Sequence, residues 1–313
     1  MKALVVSIVF SATLLASSSH ADIFQPGDVL IPREPGILAV HMKTGTQSYL
    51  TGKGIFGGIA DLVVTKSGRI LCASPSSSSG GPGYIVEVDP TTGTQSVFAQ
   101  GGYIEHPGAL ALSADGSLLL LDFGWYAAPG NGSLVRIDLA SGAQTLLHQG
   151  DGPVYVGDLA ELPDGDILLG ERNGADSGLF RWNHVTGEET KVTRDTIDVT
   201  SIVVGPQGDI DVTWSPDAGS DTGFSLSQLD LSTGTLKTIM GLFEAFQMAR
   251  APNGSLFIAG GLAFRVYQVD PANGTYVGEI NCQPDIIRAV AVWPDVTVPT
   301  QSFTWGRIKA QYR

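Results

Sequence analysis

Ala109-Leu110-Ala111-Leu112-Ser113-Ala114-Asp115-Gly116-Ser117-Leu118-Leu119-Leu120-Leu121 holds two short apolar runs joined by Asp115-Gly116. An Asp-Gly pair between two such runs is a strong hairpin signal. A tight hairpin turn needs φ > 0, which glycine adopts without a Cβ clash. Two more runs follow, Leu134 to Ile137 and Ala143 to Leu147, joined by Ser141-Gly142. The stretch therefore predicts four consecutive antiparallel strands.

The unit recurs in both directions along the chain. The first turn returns with Gly27, Gly68, Gly165, Gly208 and Gly254; the second returns as Thr44-Gly45, Thr92-Gly93, Thr186-Gly187, Thr233-Gly234 and Asn273-Gly274. Successive glycines in each series lie 40 to 49 residues apart. Self-similarity at this period marks a repeat array whose units bury their faces against one another. With the opening one, five full sets follow the same order, another being Ile59 to Val64, Arg69 to Ala73, Tyr84 to Val88 and Thr94 to Ala99. One strand, Ile286 to Trp293, is left over at the end, and the first unit lacks its first strand. The two halves complement each other and predict a closed all-β ring of six over residues 22–295. Closure removes the open ends where other chains could pair.

The composition agrees. Hydrophobic residues make up 43% and charged residues only 16%, with 40 glycines and 17 prolines, which suits many short strands and tight turns. The net charge of −13, without a basic stripe, argues against nucleic acid or an anionic membrane surface as partner. It suits cations, basic partners or neutral ligands, and it also simply keeps an exported chain soluble.

Met1 to Ala21 reads as a secretory signal peptide. Lys2 is followed by an apolar run, and Ser19-His20-Ala21 places small residues at the −3 and −1 positions of a cut after Ala21. No Cys follows the cut, which argues against a lipoprotein anchor, and no later stretch has the ~18 apolar residues of a membrane span. The expectation is an exported, periplasmic or extracellular monomer. Val296 to Arg313 breaks the pattern with Phe303, Trp305, Arg307, Lys309, Tyr312 and Arg313, a basic aromatic tail that reads as loose chain or as a docking tag. Cys72 and Cys282 are open to two readings, a disulfide in an oxidising compartment or two buried free thiols.

His106-Pro107-Gly108 ahead of the opening stretch, with Asp122 after it, resembles a blade of the NHL and SMP-30/gluconolactonase-like propellers. The resemblance runs over nearly all of the ring and implies a six-bladed β-propeller; the YWTD signature of receptor propellers is absent. It implies that ligands bind on the face carrying the loops before each innermost strand and after each second strand. That face collects Tyr103, Trp125, Tyr126, Tyr155, Glu171, Arg172 and Arg288 as candidate ligand contacts, with Asp151, Asp198, Asp217 and Asp285 nearby. It also carries Cys72 and Cys282 in adjacent blades, which favours their disulfide.

Gluconolactonase-like enzymes hold a divalent metal on the axis with Glu, Asn and Asp at the starts of innermost strands. The matching column here reads Ala60, Gly108, Gly157, Thr200, Phe246 and Arg288, and carries none of these types. The next column reads Asp61, Ala109, Asp158, Ser201, Gln247 and Ala289. Asp61 and Asp158 with two neutral oxygens form a candidate site for Ca²⁺ or another divalent cation; the other reading is that they hydrogen-bond neighbouring backbone. Glu105 and His106 with Asp158 are candidate acid–base residues if the loops bring them together. No Gly-x-Ser-x-Gly elbow, phosphate loop or CxxC pair is present. Two functions follow: a binding or scaffold propeller for a small molecule, glycan or protein, with Tyr103, Trp125 and Tyr126 as anchors, or a metal-dependent lactonase-like hydrolase or lyase.

Overall fold

The computed structural model describes residues 24–33, 35–75, 82–123, 132–149, 155–172, 176–216 and 223–295, with the backbone alone at 155 and 156. The expected leader and tail, and Trp125, Tyr126, Asp151 and Asp217, lie outside these residues. No helix forms among the described residues, so none there is long and apolar enough to cross a membrane.

Blade 1 contains β1 (Val29–Arg33), β2 (Gly36–His41) and β3 (Thr46–Thr51). Blade 2 is β4 (Asp61–Val64), β5 (Ile70–Ser74), β6 (Tyr84–Val88) and β7 (Gln95–Gln100). Blade 3 is β8 (Pro107–Leu112), β9 (Leu118–Asp122), β10 (Ser133–Ile137) and β11 (Gln144–Gln149). Blade 4 is β12 (Tyr155–Glu161), β13 (Ile167–Arg172), β14 (Leu179–Trp182) and β15 (Glu189–Lys191). Blade 5 is β16 (Asp198–Val204), β17 (Ile210–Ser215), β18 (Phe224–Asp230) and β19 (Thr235–Leu242). Blade 6 is β20 (Met248–Arg250), β21 (Leu256–Ala259), β22 (Arg265–Asp270) and β23 (Thr275–Asn281), and β24 (Ala291–Val292) returns to blade 1. The six sheets are four-stranded and antiparallel, and blade 1 has the order β24-β1-β2-β3. The chain is a six-bladed β-propeller closed as its two ends predict.

Leu118 to Leu121 shows why the inner strands read as unbroken apolar runs. Successive strand residues point to opposite faces, and each blade is covered on both. Leu118 and Leu120 pack toward blade 2 with Leu71, Ala73 and Ile85. Leu119 and Leu121 pack toward blade 4 with Leu159, Ile167 and Trp182. The same division in β1 sends Leu30 toward blade 2 and Val29 and Ile31 toward blade 6. Six apolar clusters fill the six seams of the ring. Each fully buried Leu or Ile contributes roughly 1.5–3 kcal/mol.

The repeated Thr-Gly turn joins the third and fourth strands of each blade. Gly93 and Gly234 sit there at φ 69° and 68°. A Cβ at Gly93 would meet the Leu50 carbonyl oxygen at 2.1 Å, and one at Gly234 the Val192 carbonyl oxygen at 2.0 Å. The glycine thus serves the turn and also lets it press on the backbone of the preceding blade.

The closing strand departs from expectation. Only Ala291 and Val292 ladder onto β1, as Leu30↔Ala291 and Val29↔Val292. The segment before them is drawn to blade 6. Gly261 N–H donates to the Ile287 carbonyl at 2.9 Å, Cys282 N–H to the Phe264 carbonyl at 2.7 Å, and Gln247 N–H to the Arg288 carbonyl at 3.3 Å. The seam is finished by Trp293, whose N–H donates to the Asp28 carbonyl at 2.7 Å and whose ring stacks on Phe24 at 4.5 Å and 18°.

The disulfide expectation is corrected. Cys72 and Cys282 are free, buried thiols. Cys72 lies in the seam between blades 1 and 2, and Cys282 in the seam between blades 6 and 1. The closing blade stands between them, so the pairing geometry of a disulfide is out of reach.

Candidate functional site

In the second axial column, Asp61 on β4, Asp158 on β12 and Ser201 on β16 act as struts between blades. Asp61 is 1% exposed. Its Oδ1 accepts the Leu62 N–H at 2.5 Å, and its Oδ2 accepts the N–H of Leu110 in blade 3 at 2.7 Å. Asp158 repeats the pattern two blades on. Oδ1 accepts from Leu159 N–H at 2.8 Å, and Oδ2 from the Ser201 hydroxyl at 2.6 Å and the Ile202 N–H at 2.9 Å, both in blade 5. Ser201 Oγ in turn accepts the N–H of Met248 in blade 6 at 2.9 Å. These bonds tie neighbouring innermost strands where no ladder connects them, and they satisfy buried N–H groups that would otherwise be orphaned.

Burial pushes Asp61 up to about 8, the charge of Asp158 adds to the rise, and hydrogen bonds from Leu110, Gln247 and Leu62 oppose it. Burial likewise pushes Asp158 up to about 6 against its bonds from Ser201, Ile202 and Leu159. The pair, one residue from blade 2 and one from blade 4, therefore lies above the usual carboxylate range. Both carboxylates already carry N–H or O–H donors on each oxygen, and no group of three His, Cys, Asp or Glu able to hold a metal occurs among the described residues. This donor set does not fit a resident divalent ion of the gluconolactonase kind.

The mouth of the channel is built differently. Gly108 and Gly157, in the first axial column, leave room for side chains folded over them. A Cβ at Gly108 would meet the Phe123 ring at 2.1 Å, and one at Gly157 would meet first the Val199 carbonyl oxygen of blade 5 at 2.0 Å and then Arg172 Cδ at 3.1 Å. Phe246 is pinned the same way on Gly261, whose added Cβ would meet its ring at 2.2 Å. Arg172 from blade 4 reaches to 5.9 Å from the Phe246 centroid, and Arg288 from the closing segment to 6.0 Å. The small Thr200 of blade 5 stands in the same column between them. Phe123 and Phe246 were missed as site residues in the sequence. For Phe123 the signal was Gly108, because an axial glycine vacates a place that a longer side chain from the next strand fills; Phe246 stands in the axial column itself.

The other expected residues divide. Tyr103 is 44% exposed, and its N–H donates to Gln144 Oε1 at 2.8 Å on the outermost strand of blade 3. It stands at the outer seam, away from the channel mouth. The backbone N–H groups of Glu105 and His106 both donate to Asp122, at 2.9 and 2.9–3.0 Å, and the His106 ring lies 6.4 Å from that of Phe123. Asp158 is committed to blade 5. Glu171 and Arg172 separate by strand alternation. Glu171 faces outward, where burial and the charges of Glu189 and Asp176 push it up to about 7. Asp285 pairs with Arg33 at 2.5 Å, and Asp198 accepts the Ser177 hydroxyl at 3.1 Å. A hollow on the opposite face, lined by Gly68, Arg69, Glu87 and Asp89, is floored by the Arg69–Glu87 ion pair at 2.6 Å. It gathers no reactive groups.

No family model matches the sequence, and no curated protein does. Solved structures do. The chain superposes on TolB from Acinetobacter baumannii with TM-score 0.66 at 16% identity, covering 85% of this chain and 66% of that one. A chain of a nidogen/laminin complex gives 0.67 at 11%, with 85% and 97% covered. The periplasmic gluconolactonase PpgL from Pseudomonas aeruginosa gives 0.57 at 13%, with 86% and 100% covered. At these identities the likeness is one of fold, and it agrees with the SMP-30/NHL-type resemblance in the sequence. The chain spans just under two thirds of the TolB chain.

Proposed function

We propose that the chain is an exported binding propeller that captures its ligand on the loop-bearing face, at the channel mouth. The observation that carries this is the division of labour along the axis. Asp61, Asp158 and Ser201 are committed as struts between blades, and the mouth presents Phe246 between Arg172 and Arg288. Rigid aromatics and arginines in a concave, fixed setting are the side chains that dominate recognition. The propeller neighbours include a complex between proteins and a gluconolactonase, so the fold supports both binding and catalysis. Trp125, Tyr126 and Tyr155 extend this reading as further contacts of the same face.

The test is a thermal-shift screen of the purified mature chain against sugars, organic acids and peptides, with Arg288→Gln in parallel. The reading expects at least one hit whose shift falls in the variant. If every hit acts equally on both proteins, the mouth is not the site. A second reading, a metal-dependent hydrolase or lyase, would require Asp61 and Asp158 to give up their inter-blade hydrogen bonds to a metal. Metal analysis separates the two. A stoichiometric divalent ion lost in Asp61→Asn, together with lactone hydrolysis abolished by chelator, would replace the binding reading.

A further inference from the structure

We propose that the segment Val296 to Arg313 docks on its own ring, as a fifth strand along the free edge of β3 in the closing blade. The described chain ends beside that blade. Trp293 N–H donates to the Asp28 carbonyl at 2.7 Å, and Gly27 N–H to the Trp293 carbonyl at 2.9 Å. The chain therefore leaves β24 at the end where β1 begins, which is also the end where Thr44-Gly45 turns β2 into β3. Asp295 is exposed there. Reaching the outer side of β3 means crossing four strand spacings of about 4.8 Å, roughly 19 Å in all. The seven residues Val296 to Ser302 span roughly 23–25 Å when extended, so Phe303 reaches the start of β3.

β3 is an edge without the usual protection. It is the outermost strand of its sheet, so alternate N–H and C=O groups point away from β2. Its sequence, Thr-Gln-Ser-Tyr-Leu-Thr, holds none of the charges or prolines that blunt such edges. β15, β19 and β23 each carry a charge, at Glu189 and Lys191, Lys237 and Glu279. β7 and β11 lack acids and lysines too, but they lie one and two blades further from the exit. Apolar exposure marks the same sector. Among the described residues, the large apolar side chains exposed on outermost strands are Tyr49, Val97, Tyr276 and Val277, at 40–51%. They belong to the closing blade and its two neighbours. The occupant has the matching pattern. Phe303 and Trp305 alternate with polar residues, and after Gly306 so do Ile308, Ala310 and Tyr312, the period of a strand with one apolar face. It brings Arg307, Lys309 and Arg313 and no acid to a chain of net charge −13. A tether this short holds the segment at high effective concentration beside the edge. Since β24 ladders onto β1 through two residues alone, the docked segment clamps the closing blade from its outer side as well.

Hydrogen exchange read by mass spectrometry tests this on the mature chain, on the same chain with Phe303→Ser and Trp305→Ser together, and on a chain ended at Asp295. Both variants keep all six blades, and circular dichroism melts confirm that they fold. The amides of Thr46–Thr51 should exchange at least about tenfold faster in both variants, the factor that about 1.4 kcal/mol of local protection gives. Those of β7 and β11 should stay unchanged. Equal exchange of β3 in all three proteins overturns the proposal and leaves the segment free for a separate partner. A change confined to another edge overturns it as well. Light scattering covers the remaining occupant. A monomer throughout supports docking on the segment's own ring, whereas a dimer that shortening converts to a monomer places it on a second copy and overturns the proposal.

Discussion

Replacing Asp61 by asparagine should flatten the pH dependence of stability. Asp61 sits 1% exposed on the axis, and burial pushes it from the usual 3.8 to about 8. A carboxyl whose folded pKa is raised binds its proton more tightly in the native state. Its contribution is therefore complete below about 4 and is lost as pH rises through about 8. At about 1.4 kcal/mol per pH unit, this window corresponds to at most roughly 6 kcal/mol. Asp158, raised to about 6, adds to the same downward slope in the lower half of the window. In Asp61→Asn the side chain cannot ionise. It keeps one acceptor for the Leu62 and Leu110 N–H groups and loses the other, a cost of about 1–3 kcal/mol for a buried N–H left unpaired. The variant should be less stable than wild type at pH 5, should lose less between pH 5 and 9, and should overtake it near the alkaline end. Urea unfolding midpoints at pH 5, 7 and 9 measure this. If the variant keeps the wild-type slope, or if wild-type stability rises over this range, the strut is not protonated as described.

Gly234→Ala should destabilise by about 2–4 kcal/mol, because it adds a backbone clash with Val192 to the strain of φ 68°. Gly187→Ala, at φ 71° with open space around it, should cost about 1–2 kcal/mol; chemical denaturation of the two side by side checks the difference. Cys72 and Cys282 should resist a thiol reagent in the native protein and react once it is unfolded, and a reductant should leave the melting temperature unchanged. Protection of only one thiol, or a mass loss of two hydrogens, would contradict the two buried sites. Trp293→Ala should lower stability by about 3–5 kcal/mol by opening the seam under Phe24, and protease cleavage near either end of the ring should then appear first.

Particular residues show how far the sequence carries. Asp115-Gly116 and its five counterparts reveal the strand pairs, because φ > 0 at a turn is a local demand met by one residue type. The left-over strand and the incomplete first unit reveal the closure, since both ends of the ring are written in one chain. The length of β24 was not legible, because Gly261, Phe264 and Gln247 compete for its backbone from another blade. The cysteines show the same limit. Their loop assignment placed them on one face, and only the packing of whole sheets put blade 1 between them.

The site divides along the same line. The sequence by itself determined which residues share an axial column, and so that Asp61, Asp158 and Ser201 would meet near the axis. Only the tertiary structure decided that they bind backbone of the next blade and that Phe123, Arg172, Phe246 and Arg288 gather at the mouth. The physical reason is that a turn or a strand period is set by neighbours along the chain. A hydrogen-bond partner 49 residues away, such as Leu110 for Asp61, exists only once the ring has closed.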